Sequence, residues 1–496
     1  MKDLITDEEI KKLGFDESKL KKLREILAKG INPYAYSFKE TTKIKDILKK
    51  YDKITHEKTK EKLRVAGRLY TIRYHGKAIF ADIRDSDEKI QLYLREDEIG
   101  KDKYSFFRNF IDVGDIIGVE GHVFRTKLGE ITIWATSYEL LAKSLIVMPE
   151  KFHGLQDIER RYRERYLDLI CNQETREVFK IRTKILYLMR KYLISKGFLE
   201  VETPILQPLY GGANAKPFET YHNFLKQKLY LRIAPELYLK RLVVGGFDKV
   251  FEIAKNFRNE SIDTLHNPEF TMIEIYEAYK DYADMIELTE DMLSYIVKET
   301  IGSYKVKFFE NEIDFKPKWK VATMCDLIES NIGIDVTGKE LAELKKLAEK
   351  KGIRDAKNLN NRGEIIVALF ENFVEDTLIQ PTFVTEFPVE VSPLAKESRT
   401  KKGFSERFEL FINGWEIANG FSELNDPINQ KVRFEEQIAS KKETPKVLDY
   451  DYIKALGYGL PPTGGVGIGI DRFTMLLTNK NSIKEVILFP HMRPSE

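Results

Sequence analysis

Glycine stands at every second position of Gly465-Val466-Gly467-Ile468-Gly469, and Ile470-Asp471-Arg472 follows at once. No other stretch constrains the chain as much. Alternation makes this a strand with one face free of side chains, where a flat ligand can lie against the backbone. Asp471 is placed to cap a following helix, which puts Arg472 in its first turn. Two further segments carry matching chemistry. Phe257-Arg258-Asn259-Glu260 leads through a polar loop to His266-Asn267-Pro268-Glu269-Phe270, and Phe408-Glu409-Leu410-Phe411-Ile412-Asn413-Gly414-Trp415-Glu416 lies further on. Together the three segments supply guanidinium groups that fork onto phosphate oxygens, carboxylates for a hard cation and a flat slot for a base. The phosphate loop GxxxxGK[ST] is absent, and glycines 465, 467 and 469 have the wrong spacing for a dinucleotide-binding GxGxxG.

A chain of 496 residues has room for two or three domains, and 42% apolar content is ample for their cores. The net charge is only +2 although 32% of residues are charged, so partners have to be argued from local basic stretches. Cys171 and Cys325 lie far apart and form no metal pattern, so a reducing cytoplasm is the expected compartment. No signal-like run opens the chain, and no stretch of about 18 apolar residues predicts a membrane span.

Residues 1–60 read as a lysine-rich helical arm. Leu20, Leu23 and Leu27 share one stripe, and Gly30 and Pro33 end the helix. Its lysines suit either a solvated face or nucleic-acid phosphate. Residues 61–145 change to short alternating runs, at 63–69, 78–83, 89–94, 114–121 and 130–135, with a helical stretch near Tyr104 to Phe110. Five strands of this kind predict a small closed barrel of the OB type, a scaffold that binds single-stranded nucleic acid through aromatic and basic side chains. Arg73, Tyr74, His75, Lys77 and Phe80 form such a mixture. Residues 146–160 read as a linker. The remainder, 161–496, holds the charged segments, with a long amphipathic helix from Thr175 to Gly197, a strand at 198–204 stopped by Pro204, and a lysine-rich helical insertion at 325–395. The predicted fold class is α+β.

Within that remainder, two strands over 251–260 and 270–279 would put Arg258 and Glu260 on one face, and Phe270, Met272, Glu274 and Tyr276 on another common face. Considered alone, such a pair reads equally well as a salt-bridged ladder. Asn413-Gly414 predicts a two-residue hairpin in which Phe411 opposes Glu416, so that Glu409 and Glu416 are diagonal neighbours. Two such carboxylates repel unless a cation such as Mg²⁺ bridges them, or unless they are simply solvated at the surface. Strict alternation turns Asn419, Phe421 and Glu423 away from Glu416, so a common site demands a bulge or bend near Gly420.

These segments resemble motifs 1, 2 and 3 of the class II aminoacyl-tRNA synthetases, most closely the bacterial-type lysyl enzymes. Lys151-Phe152-His153-Gly154-Leu155-Gln156-Asp157, Tyr210-Gly211-Gly212-Ala213, Leu231 to Lys240, Asn419 to Asp426 and Gly459 to Thr463 agree with them too, from about residue 20 to the C-terminus. The resemblance implies a six- or seven-stranded antiparallel sheet flanked by helices, an N-terminal OB-fold barrel that reads an anticodon, and a homodimer built through the first motif. It implies that L-lysine and ATP form lysyl-adenylate and that lysine passes to the 3′ end of tRNA(Lys). Arg258 and Arg472 would be the catalytic cations. Arg258, Glu260, His266, Asn267, Phe270, Glu409, Glu416 and Arg472 would bind ATP, with two or three Mg²⁺ ions on Glu409 and Glu416 and no organic cofactor. Gly212, Glu236, Arg258, Glu274, Tyr276, Asn419, Phe421 and Glu423 would bind lysine, and Arg73, Phe80 and Gln91 the anticodon.

An aspartyl or asparaginyl enzyme of the same class is the runner-up, but its pocket needs cations where this chain has carboxylates. A nucleic-acid binder with a degenerate catalytic domain is opposed by the intact set Arg258, Glu260, Glu409, Glu416 and Arg472. A relative that lysylates protein and an asparagine synthetase on the same sheet both lack the barrel. Asn214, Lys216 and Tyr221 depart from the family pattern in the loop after Gly-Gly-Ala. Gly464 stands where alanine is usual, with little expected effect.

Overall fold

The computed structural model describes residues 5–86, 88–149, 155–353, 356–439 and 447–494. The Lys151–Gly154 part of the family-like segment lies outside them. The chain divides into two compact units, Met1–Gly154 and Leu155–Glu496.

In the first unit, strands β1 (Lys62–His75), β2 (Ala78–Arg84), β3 (Lys89–Arg95), β4 (Ile116–Arg125) and β5 (Ile131–Ala142) close into a barrel in the order β1-β2-β3-β5-β4. The helix Lys101–Phe110 joins β3 to β4. Alternate residues fill the interior: Val65, Ile79, Ala81, Ile83, Leu92, Leu94, Val119 and Ile133 are fully or almost fully buried. The lysine-rich segment packs on this barrel. From the helices Glu17–Ala28 and Ile44–Lys50, Ile26, Ile44 and Ile47 enter the barrel core. Lys19 is buried, and its ammonium caps the carbonyls of Val113 and Ile146 at 2.9 and 3.2 Å. One member of the predicted basic face is therefore a structural cation. Ile26, not Leu27, completes the buried stripe.

The second unit is built on an eight-stranded sheet. Its strands are β6 (Leu199–Glu200), β7 (Lys249–Phe257), β8 (Glu269–Ala278), β9 (Lys320–Thr323), β10 (Thr382–Pro388), β11 (Phe404–Ile412), β12 (Trp415–Ser422) and β13 (Thr463–Gly469). Their order is β9-β10-β11-β12-β13-β8-β7-β6. The central six are mutually antiparallel, and β9 and β6 run parallel to their neighbours at the edges. The strand expected over 198–204 is thus only a two-residue edge pairing. The stretch 325–395 is not wholly helical either, because β10 lies inside it. The helices Met324–Ile332, Leu341–Lys350 and Arg362–Phe373 form the crossover between parallel β9 and β10 and have their own apolar core around Ile328, Leu344 and Ile366.

Alternation assigns the two faces of this sheet. Phe251, Ile273, Ile275, Phe408, Leu410, Ile412, Val466 and Ile468 face one way and bury against Leu188, Met189 and Leu193 of the helix Gln173–Ser195, Met292 and Ile296 of Tyr282–Ile301, and Phe473 and Leu476 of Ile470–Leu477. Their neighbours in sequence face the other way. Met272, Glu274, Tyr276, Arg407, Glu409, Asn419, Phe421 and the three glycines line a concave surface.

Candidate active site

The open face of the sheet holds a cavity of about 870 Å³, within the size range of small-molecule sites. Every residue named above for nucleotide, metal or amino acid lines it: Arg258, Glu260, His266, Asn267, Phe270, Glu409, Glu416 and Arg472, with Gly212, Glu236, Glu274, Tyr276, Asn419, Phe421 and Glu423.

Glu416 reaches this face because of a bulge. The hairpin forms as the Asn-Gly pair predicts, with Asn413 and Gly414 at φ 53° and 71° and Ile412 opposite Trp415. Phe411 opposes Glu416 and Leu410 opposes Ala418, so Ile417 is the extra residue. Ile417 and Ala418 both enter the apolar core, and alternation then resumes through Asn419 and Phe421. The break expected near Gly420 thus falls three residues earlier. Gly420 itself sits in a regular ladder, and a β-carbon there would lie 2.6 Å from the Phe408 ring.

At one end of the cavity, charges crowd. Arg258 lies just beyond β7, its amide bonded to the Pro268 carbonyl at 2.9 Å and its guanidinium 5.0 Å from the Phe270 ring centre. Burial pulls this guanidinium down, while Glu416, Glu260 and Glu274 pull it up. Its Nε has no acceptor among the described residues, which leaves this donor available to a bound anion. Arg472 donates to the Glu416 carbonyl at 2.8 Å and to His266 Nε2 at 3.1 Å. Since Nε2 accepts from a guanidinium, the His266 proton is on Nδ1, 2.9 Å from Asp263 Oδ2. Glu409 accepts from Arg407 at 2.6 Å and from Asn419 at 3.3 Å. Burial, and then the Glu416 charge, push Glu409 up to about 8. Asn267 is a tie more than a free contact: it accepts from the His491 amide at 3.2 Å, and its own amide group donates to the Glu269 carbonyl at 2.5 Å.

The other end is an acidic pocket. Glu236, Glu274, Tyr276 and Glu423 are all buried. Tyr276 donates to Glu274 Oε2 at 2.9 Å. Burial, and then Glu236, push Glu274 up to about 8, and burial raises Glu423 well above the carboxylate range. Gly212 has φ 87°, and its missing side chain leaves room for Glu236, whose Cβ would lie 3.1 Å from a β-carbon at 212. The bare face of β13 serves this pocket differently from the flat shelf expected. A β-carbon at Gly465 would overlap Glu423 Oε1 and lie 2.6 Å from Tyr276, and one at Gly467 would lie 2.7 Å from Met272. Side chains of neighbouring strands fill the space that glycine leaves. Only Gly469 stays open, with Ile417 O at 3.7 Å the single near neighbour.

Asp471 does not cap its helix. Gly469 holds the cap position, and Asp471 instead accepts from the Thr271 amide at 2.7 Å and pairs with Arg182 at 2.6 Å. It clamps the Arg472 helix to β8. Residues not foreseen include Arg407, which steadies Glu409 and Asn419 from the same strand face, and Glu371 and Glu375. Glu375 is pushed up to about 7 by burial, then by Glu371 and Glu416. Spacing of two along β11 could have found Arg407; the two glutamates come from the insertion, whose position no local pattern reveals.

On the barrel, Arg73 pairs with Phe80 in register and Asp82 with Gln91, which places all four on one face. Phe80 packs against Tyr93 at 4.7 Å, and Tyr93 against Trp134 at 4.8 Å. Gln91 is buried, donates to Glu130 at 2.8 Å and accepts from Thr132 at 3.1 Å. Tyr93 and Trp134 extend the aromatic surface beyond the residues read from the sequence. Among the described residues no helix is long and apolar enough to cross a membrane.

Residues 157–493 match the family described as tRNA synthetases class II (D, K and N), and residues 63–141 match the OB-fold nucleic acid binding domain. The chain is 55% identical over 482 residues to the lysine–tRNA ligase of Methanoculleus marisnigri, covering 97% of this chain and 95% of that one. It belongs to the class II lysine–tRNA ligase family. The lysine–tRNA ligase of Carboxydothermus hydrogenoformans is 51% identical over 482 residues, covering 96% and 98% of the two chains. That of Aquifex aeolicus is 54% identical over 437 residues, covering 87% and 73%. Family membership runs through both units, since the matched spans include the barrel as well as the sheet.

Proposed function

We propose that the cavity activates L-lysine with ATP and that the enzyme then esterifies the 3′ end of tRNA(Lys). The observation that carries this reading is the polarity of one cavity, with guanidinium groups and paired carboxylates at one end and three buried carboxylates at the other. Arg258 holds the lysine carboxylate beside the α-phosphate. The carboxylate is already ionised, so adenylate formation needs alignment and charge neutralisation and no general base. Arg472 takes the γ-phosphate, His266 the β/γ side, Phe270 stacks the adenine, and Glu260 accepts from its amine. Asn267 holds the loop that carries His266.

Glu409 and Glu416 suit Mg²⁺, because two crowded carboxylates lining the cavity are hard oxygen donors whose mutual repulsion a divalent ion removes. Bound there, the ion would neutralise developing charge on the phosphates. Glu236 takes the α-ammonium, Glu423 and Tyr276 the ε-ammonium, and Gly212, Glu274, Asn419 and Phe421 complete the pocket. The barrel binds the anticodon, with Phe80 stacking a base and Arg73 reading an edge or phosphate, while Gln91 acts from within its Glu130 and Thr132 contacts. The enzyme is a homodimer through the first motif, where Tyr187, Ile194 and Leu199 expose apolar surface.

ATP–pyrophosphate exchange measured with each of the twenty amino acids tests the reading. Exchange should depend on lysine. Dependence on aspartate or asparagine, or none on any amino acid, would overturn it.

A further inference from the structure

One buried charge beside the pocket has no role in the lysine and ATP contacts assigned so far. Lys240 lies one turn after Glu236 on the helix Glu236–Val244, so both project from one face. Its Nζ is 2.6 Å from Glu236 Oε1 and also contacts Glu423 Oε2. The side chains of Lys240 and Glu423 are 0% exposed. The ammonium also lies 5.3 Å from the Phe421 ring centre. Tyr452, from the helix Tyr450–Gly457, is buried against it, and Glu274 and Tyr276 of β8 face the same carboxylates. Burial works against its charge, but Glu236 and Glu423 more than offset that and keep it an ammonium. Glu423 Oε1 accepts no hydrogen bond among the described residues, although it is buried.

Glu236, Glu274 and Glu423 bring three carboxylates, and Lys240 brings one cation. With lysine bound and all three carboxyl groups ionised, the difference equals its two ammonium groups, while its carboxylate goes to Arg258. We infer that Lys240 is a specificity-determining positioning residue, a resident ammonium that ties Glu236 to Glu423 and trims the pocket to the charge of a diammonium substrate. The inference rests on the proposed lysine activation. Burial and mutual repulsion already favour the protonated forms of Glu274 and Glu423, and Lys240 opposes this; without that cation the carboxyl groups hold their protons more firmly. The ε-ammonium would then meet a neutral carboxyl group, and binding would require a proton to leave.

Lys240→Met keeps the apolar stem and removes the charge. In pyrophosphate exchange its lysine KM should rise about 30-fold or more at pH 7, while the ATP KM stays within about threefold. The lysine penalty should shrink as pH rises and the carboxyl groups lose their protons. Discrimination between lysine and norleucine, which has one ammonium group, should fall. In Lys240→Ala, propylammonium replaces the lost carbons and nitrogen and should lower the lysine KM, whereas propanol should not. Lysine KM unchanged or lowered in Lys240→Met would overturn the inference. So would an equal loss of lysine and ATP binding, loss of the fold, or a penalty independent of pH. Lysine-independent exchange by the unsubstituted enzyme would instead defeat the reading of the reaction itself.

Discussion

At the scale of single residues, what separates the two ends of the cavity is how each buried charge is compensated. Glu423 is held by Lys240, Glu274 by the Tyr276 hydroxyl, and Glu409 by Arg407 and Asn419, with Glu416 close enough to oppose it. A carboxylate raised by burial favours the folded state only while protonated. Glu409 binds a proton in the folded protein up to about pH 8 and loses it near 4.5 when unfolded, so its contribution to stability falls as pH rises between those values. Glu409→Gln removes this dependence. Without nucleotide or Mg²⁺, the variant should gain stability relative to the parent by on the order of 1–2 kcal/mol between pH 5 and 9. Denaturant unfolding at the two pH values measures it; a difference constant with pH would show that Glu409 is ionised throughout.

At the scale of elements, period two was the readable signal and its interruption was not. The barrel strands, the antiparallel β7–β8 pair and the Asn413-Gly414 hairpin were all legible from alternation and turn chemistry. Glu416 and Asn419 had to share a face, so a break was required, but nothing local marked Ile417 as the bulged residue. That choice is made by the core, which buries Ile417 and Ala418 together. β9 and β10 were hidden because parallel pairing across a helical crossover leaves no local trace. Gly464 shows the same dependence on tertiary contact. A β-carbon there would lie 2.8 Å from Met285 Cγ and 2.9 Å from the Asp281 carbonyl, at the start of the helix Tyr282–Ile301. Glycine and alanine are therefore not expected to be interchangeable at this position. Gly464→Ala should lose about 1–3 kcal/mol of stability, read as a lower midpoint in thermal or denaturant unfolding. An unchanged midpoint would mean that this helix can shift without penalty.

At the scale of the whole molecule, the proposal divides labour between the two units. On this reading the sheet carries the chemistry of activation, and the barrel would bind nucleic acid through its Phe80, Tyr93 and Trp134 surface. The division predicts that Phe80→Ala weakens tRNA affinity about tenfold, as loss of one stacking side chain does, and leaves pyrophosphate exchange intact. Equal losses in both would refute the separation. The most direct test of the central claim, that a buried acidic pocket selects a long cationic amino acid, is the lysine and ATP dependence of exchange by Glu423→Gln. The lysine KM should rise about 30-fold or more, with the ATP KM nearly unchanged. Lysine kinetics indistinguishable from those of the parent enzyme would contradict the account.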